Sequence, residues 1–149
     1  MIELRPVIED DIETFYQHQT DPDSSAMAVF PIRERAVVFE SWRRNQARED
    51  NVSRTIVVDG AVAGNVVSWK DEDRRLIGYW VGREFWGRGV ATTALALFVA
   101  EVAERPLFAF VAASNLGSIR VLEKNGFVRT ADEPEVGEDG VAEWLFTLE

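Results

Sequence analysis

The stretch Leu76-Ile77-Gly78-Tyr79-Trp80-Val81-Gly82-Arg83-Glu84-Phe85-Trp86-Gly87-Arg88-Gly89-Val90-Ala91-Thr92 changes character twice. Leu76–Val81 is rich in β-formers and reads as a strand. Gly82–Gly89 reads as a turn, and from about Arg88 to Ala103 the apolar residues Val90, Ala94, Phe98 and Val102 recur every four positions, the period of a helix. A strand, a glycine turn and a helix start in succession form a natural anion site. The first amides of a helix have no intrahelical acceptor and carry about half a positive charge, so a phosphate or pyrophosphate fits there. Gly87 and Gly89 let the backbone come close, and Arg88 adds a charge. The same pattern also suits a tight turn that only caps a helix.

Upstream, Asp59-Gly60 is the strongest hairpin signal in the chain, and it joins Thr55–Val58 to Ala61–Lys70. With Leu76–Val81 these runs predict a three-stranded antiparallel meander. Ile2–Arg5 reads as a short strand, followed by a helix opened by Asp10 and Asp11 that runs through Ile12, Phe15 and Tyr16. Asp21-Pro22-Asp23-Ser24-Ser25 is expected to break it. Pro31 is expected to open a second helix that extends to about Glu49.

Downstream, Pro106 ends the helix after the glycine turn, and Leu107–Ala112 reads as a strand. Asn115-Leu116-Gly117-Ser118-Ile119-Arg120-Val121-Leu122-Glu123-Lys124-Asn125-Gly126-Phe127 then reads as a helix capped by Asn115, with Gly126 at C′ and Phe127 as its apolar contact. A last hairpin pairs Phe127–Thr130 with Ala142–Leu148 across an acidic loop. The predicted order is β-α-α-β-β-β-α-β-α-β-β. That is an α+β fold, a mixed, mostly antiparallel sheet flanked by helices, with one β-α-β crossover near its middle. No repeat or linker interrupts it, so residues 1–149 read as one domain.

Composition narrows the chemistry. The 149 residues are 46% hydrophobic and 28% charged, a length at which about two-thirds of the unfolded chain's surface can be buried. The absence of cysteine excludes disulfides, iron–sulfur clusters, cysteine-ligated zinc and a thiol nucleophile, and a single histidine, His18, argues against a metal site. Net charge is −10, which disfavours nucleic acid as a partner. The charge is uneven: −5 over residues 1–82, +2 over residues 83–129 and −7 over residues 130–149, so an anion site belongs in the middle segment. No basic leader or long apolar run appears, and a cytoplasmic protein without membrane contact is expected.

The two glycine-bearing stretches together resemble the GCN5-related N-acetyltransferase (GNAT) superfamily, in the branch typified by ribosomal-protein N-terminal acetyltransferases. Trp86-Gly87-Arg88-Gly89-Val90-Ala91 is similar to that family's pyrophosphate-binding pattern, Gln/Arg-x-x-Gly-x-Gly/Ala. Asn115 to Phe127 is similar to its Asn-x-x-Ser-Ile-x-x-Leu-x-Lys-x-Gly-Phe. The resemblance covers most of the chain and is weakest over residues 7–50.

It implies a GNAT fold and acetyl-CoA as cosubstrate, with no metal. Pantetheine would lie where the strand Ile77–Val81 splays from Leu107–Ala112, bonded to backbone near Trp80 and Val81. The pyrophosphate would rest on backbone N–H groups of Gly87, Arg88, Gly89, Val90, Ala91 and Thr92, with Trp86 opening the same cofactor-binding segment, Asn115 and Ser118 facing the cofactor and Lys124 within reach of its phosphates. The implied reaction is direct attack of a neutral amine, on a small molecule or a protein N-terminus, upon the thioester. Homodimers are frequent in the family.

The chain departs from the family pattern at reacting positions. Leu122 stands where many relatives carry a thiolate-protonating Tyr, and Leu76 where a Glu often precedes Ile-Gly-Tyr. Trp86 replaces a Gln or Arg, and Thr93 a Glu. The remaining catalytic candidates are Tyr79, through water, and Asn115, with a base that acts through water and that the sequence does not name. His18 is expected to face solvent near a helix end, and Glu84 to be solvated.

The acceptor site is expected between about Phe15 and Phe39 and at the last hairpin. Asp21, Asp23, Asp132, Glu133, Glu135, Glu138 and Asp139 could steer a cationic amine, and Phe30, Trp42, Trp69 and Trp144 could line its pocket. Because Leu76 and Leu122 lack acid–base chemistry, a catalytically weak acyl-CoA-binding module, acting as a sensor or partner protein, is the alternative. A purely structural domain would not need the glycine cradle.

Overall fold

The computed structural model describes residues 1–149. One sheet runs through the molecule in the order β1 (Ile2–Pro6), β2 (Val52–Val58), β3 (Ala61–Asp71), β4 (Arg74–Val81), β5 (Leu107–Ala112), β8 (Ala142–Leu148), β6 (Val128–Arg129). The short β7 (Glu135–Val136) pairs with β8 beside β6. All pairs are antiparallel except β4–β5. That parallel seam is two residues long, Arg75 against Leu107 and Leu76 against Phe108. Beyond it the strands part, as expected for Ile77–Val81 and Leu107–Ala112, and the sheet has an open edge in its middle.

Alternation along the strands assigns the two faces. Val66, Ile77, Tyr79 and Val81 face α4 (Val90–Glu101) and α5 (Leu116–Lys124), where Val90, Ala94, Leu95, Phe98 and Leu122 complete the main core with Phe127 and Phe146. Asn65, Val67 and Trp69 on β3 stand opposite Trp80, Gly78 and Leu76 on β4 and share the other face. Val67 there meets a second core, in which Phe15 of α1 (Glu9–Thr20) packs on Trp42 of α3 (Arg35–Ala47) with ring centroids 4.8 Å apart.

The helix after the crossover forms for the reasons its sequence states. The Asn115 side chain accepts the Ser118 amide at 3.2 Å. At the other end the amides of Gly126 and Phe127 bond to the carbonyls of Glu123 and Leu122, a Schellman closure.

Two expectations upstream need correction. Asp21-Pro22-Asp23-Ser24-Ser25 does end α1, but it also starts a further helix, α2 (Pro22–Ala28): Asp21 accepts the Asp23 amide at 3.0 Å as N-cap, and Pro22 takes the first helical position, where its missing N–H costs nothing. The next helix begins at Arg35 and not at Pro31. Residues 29–34 stay non-helical. Val29 closes α2 in the left-handed region, and Phe30 docks edge-on against Trp80 at 5.7 Å. Likewise, α4 spans Val90–Glu101 rather than Arg88–Ala103, and the acidic loop holds β7. No helix is long and apolar enough to cross a membrane.

Candidate functional site

Two cavities meet at the open edge of the sheet. The first, of about 500 Å³, lies over the N-terminus of α4, and the second, of about 580 Å³, lies between the sheet and α1–α3. Both are bounded by Ala28, Tyr79, Trp80, Asn115 and Ser118, so these residues form a shared wall.

The first cavity is lined by Trp80, Val81, Trp86, Gly87, Gly89, Val90, Ala91, Thr92, Asn115 and Ser118, which brings together all the sequence-derived cofactor candidates except Arg88. Gly89 caps α4 at φ +71° and Gly87 has φ +75°, values that disfavour any side chain. Nothing lies within 4 Å of where a Cβ would stand at either glycine, so the space above the cradle is open. The first amide of α4 with an intrahelical partner is that of Thr93, which bonds to the Gly89 carbonyl at 3.1 Å. The amides of Val90, Ala91 and Thr92 have no such partner and point an anion site at the cavity.

The charge expected from the Arg88 side chain does not reach the cavity. Its guanidinium turns away from the cavity, lies 5.1 Å from the Phe85 ring and donates to the Glu84 carbonyl at 3.1 Å. The positive side chains in the lining are Arg120 and Lys124 of α5, one turn apart on the same helix. Lys124, expected from sequence to lie within reach of the cofactor's phosphates, is in this lining; Arg120, beside it, was not named from sequence, although its spacing of four residues from Lys124 is the signal that could have found it. Ser24, Met27 and Ala28 of α2 also enter the lining, from a helix that the sequence reading did not contain. Trp86 does more than replace a donor. Its indole N–H bonds to the Val81 carbonyl at 3.0 Å and fastens the turn to the end of β4.

At the shared wall, the Tyr79 hydroxyl reaches Ser118, 2.6 Å from its Oγ and 3.2 Å from its carbonyl oxygen. Burial pushes the Tyr79 phenol up to about 12, against the opposing effect of the Ser118 hydrogen bond. At neutral pH it is therefore a proton donor and not a base. Leu76 and Leu122 are buried side chains in the wall of the second cavity, and as leucines they bring no acid or base to it.

His18 overturns its expectation. It is 6% exposed, its Nδ1 lacks a partner, and its Nε2 lies 3.9 Å from Glu84, whose own side chain is solvated as expected. Burial lowers its pKa, with Glu84 opposing. It packs against the end of β4: a Cβ on Gly82 would stand 2.6 Å from the imidazole Nε2. Gly82→Ala is expected to displace the ring at a cost of about 1–3 kcal/mol, the range for overpacking a filled site. The fall in melting temperature measures it.

The second cavity receives Phe30 and Arg33 from the α2–α3 connection, Gln19 from α1, Trp42 and Asn45 from α3, and Asn65 and Trp69 from β3. Glu143 of β8, opposite Ala112, reaches it from beyond β5. Gln19, Phe30 and Arg33 come from the stretch between about Phe15 and Phe39 and Glu143 from the last hairpin, where the sequence reading expected the acceptor, whereas Trp42, Asn45, Asn65 and Trp69 lie outside both. Trp144 does not enter; its ring lies under Arg129 at 4.4 Å. Asp21 and Asp23 both pair with Arg83, at 2.9 Å from its Nε to Asp21. Glu143 is the carboxylate that sequence reasoning missed. Partial burial raises its pKa, and Asp139 raises it further.

A family model described as the acetyltransferase (GNAT) domain matches residues 2–128. In Bacillus subtilis (strain 168), the protein named "Putative ribosomal N-acetyltransferase YdaF" is 31% identical over 102 residues, 63% of this chain; the chain spans about 55% of that relative's length. Among solved structures, a GNAT-family acetyltransferase from Bacillus anthracis superimposes with a TM-score of 0.82 at 17% identity, over 99% of this chain and 93% of that one. The spermidine N-acetyltransferase of Vibrio cholerae, crystallised with CoA and spermine, gives 0.83 at 12% identity, over 99% and 94%. With the strand–cradle–helix geometry in place and most of its length matched by the family model, the chain belongs to the GNAT acetyltransferase family.

Proposed function

We propose that the chain is an acetyl-CoA-dependent N-acetyltransferase that moves an acetyl group directly to a primary amine of a small molecule or a protein N-terminus. The observation that carries this is the shared wall. One cavity ends in a cradle of unpaired amides, the other is lined by aromatics and polar side chains, and they meet at Tyr79, Asn115 and Ser118. In the V. cholerae neighbour, CoA and a polyamine are bound together.

The pyrophosphate rests on the amides of Val90, Ala91 and Thr92, with Arg120 and Lys124 alongside. The pantetheine arm runs past Trp80 and Val81 through the gap between β4 and β5 and places the thioester at the shared wall. The amine nitrogen attacks the acetyl carbon, the C–N bond forms and the C–S bond breaks. Before the attack, water passes one ammonium proton to Glu143 and frees the nitrogen lone pair; after it, the nitrogen's surplus proton passes through water to the departing thiolate, which accepts a hydrogen bond from Tyr79. Holding the two reactants in line supplies several kcal/mol, which relieves the demand on acid–base groups.

Titration with acetyl-CoA should raise the melting temperature as ligand concentration rises. Amine-dependent thiol release completes the test, and absence of any stabilisation would overturn the cofactor assignment. Stabilisation with no thiol release on any amine or short peptide would favour the acyl-CoA-binding module. Glu143→Gln is expected to lower kcat/KM by about 100-fold, the usual worth of a general base. Since activity needs the ionised carboxylate, the wild-type rate should fall as pH drops through the raised Glu143 pKa, and this acidic limb should be missing from the variant's pH profile.

A further inference from the structure

The second cavity carries one cation and one carboxylate, and they enter from opposite sides. Arg33 comes from the α2–α3 connection above β4, and Glu143 comes from β8 beyond β5. Arg33 takes part in none of the ion pairs that engage Arg5, Arg35, Arg43, Arg54, Arg75 and Arg83. Its guanidinium lies 5.2 Å from the Phe30 ring, which is itself docked on Trp80, and its buried Nε has no hydrogen-bond partner. A second donor faces the same space. Asn65 is 5% exposed, lines the cavity, and its Nδ2 is buried without a partner.

Buried donors without acceptors are costly unless a ligand supplies the acceptor. A guanidinium and an amide N–H that line one cavity, each with a donor left over, suit a carboxylate, which offers oxygen acceptors to both. Around them stand Phe30, Trp42, Trp69, Trp80 and Phe110, an apolar aromatic lining.

Resting on the transferase reading above, we propose that the acceptor is an amino acid with an apolar or aromatic side chain. Its carboxylate is held by Arg33 and Asn65, its side chain lies among the aromatics, and its amino group is turned towards the wall of Tyr79 and Ser118 and served by Glu143. A purely cationic polyamine would leave Arg33 as an unpaired like charge beside it.

The test compares amino acids with the amines obtained by removing only the carboxyl group: L-phenylalanine against phenethylamine, and L-methionine against 3-(methylthio)propylamine. Wild-type kcat/KM should favour the amino acid of each pair by about 10- to 100-fold, the span of one hydrogen bond to a charged group. Arg33→Gln should reduce that preference by about 10-fold or more, and Arg33→Lys should restore part of it. Equal use of both members of each pair, or an unchanged preference in Arg33→Gln, would overturn the assignment. A readout independent of turnover and of variant folding is protection of the wild-type protein, with CoA present, by the products. N-acetyl-L-phenylalanine should raise the melting temperature and N-phenethylacetamide should do so less, whereas the reverse order would refute the proposal. Failure of acetyl-CoA to bind would sink the transferase reading itself; turnover of amines without carboxylate preference would sink only the acceptor class.

Discussion

Asp11→Ala should lower stability by about 3 kcal/mol, a melting-temperature fall of roughly 6–12 °C for a chain of this size. Asp11 is 2% exposed at the start of α1 and serves three partners at once. Its carboxylate accepts two hydrogen bonds from Arg5 at 2.7 and 2.8 Å, one from the Thr55 hydroxyl at 2.7 Å and one from the Ile8 amide at 2.9 Å. Removing it leaves the fully buried Thr55 hydroxyl and the amide before α1 without acceptors. Hydrogen bonds to a charged group contribute about 1.5–3 kcal/mol each, and because Arg5 is partly exposed and regains water, the sum is discounted to the figure above.

The pH dependence of that contribution has a definite sign. Burial acts to raise the Asp11 pKa, but Arg5, Ile8 and Thr55 together outweigh it and leave the carboxyl below its ordinary value. A depressed carboxyl stabilises the fold above its unfolded pKa of about 3.9, and that stability is lost as pH falls through the folded value. Chemical denaturation of wild type and Asp11→Ala should therefore differ by a constant amount from pH 5 to 8 and converge below about pH 4. A difference that persisted undiminished into acid would show that packing, and not the charge, carries the effect.

Gly89→Glu should weaken acetyl-CoA binding by about 100-fold or more while leaving a folded protein. The backbone at Gly89 has φ +71°, so any side chain there costs about 1–2 kcal/mol. The space beyond is open, and the new carboxylate would face the unpaired amides at the start of α4, which favour it and offset part of that strain. The same position would set a negative charge against the pyrophosphate. Two unit charges about 4 Å apart near a protein surface repel by roughly 4 kcal/mol, enough for the expected loss. Isothermal titration with CoA, beside a thermal melt, separates a blocked cradle from an unfolded one; retained micromolar-class binding in a folded variant would remove the pyrophosphate from this site.

What could be read from the sequence is what neighbours along the chain decide. Asn115, Gly126 and Phe127 state both ends of α5 because capping is a matter of a few adjacent residues. The strand–turn–helix from Leu76 to Thr92 is equally local, and its glycines require the backbone that they have.

What stayed hidden depends on contacts across the fold. Phe30 remains outside a helix because Trp80, 50 positions later, provides its docking surface. Arg88 beside Gly89 looks like a phosphate ligand, yet Phe85 and the Glu84 carbonyl hold it elsewhere. His18 is buried because the residue that follows β4 is Gly82, which has no side chain to keep the imidazole out. Glu143 reads as one more acid near an acidic loop. Only the pairing of β8 with β5 brings it to the cavity.

The gap between β4 and β5 has a consequence for amide hydrogen exchange. In most sheets the central strands exchange slowest, because both sides of each are paired. Here, beyond Leu76 and Phe108, both central strands keep one unpaired side. Backbone amides in the middle of this sheet, on the sides facing the gap, should therefore exchange at rates typical of a sheet margin. If acetyl-CoA lies in the gap, it should slow them selectively, so that its arm is counted in protected amides as if it were a missing strand.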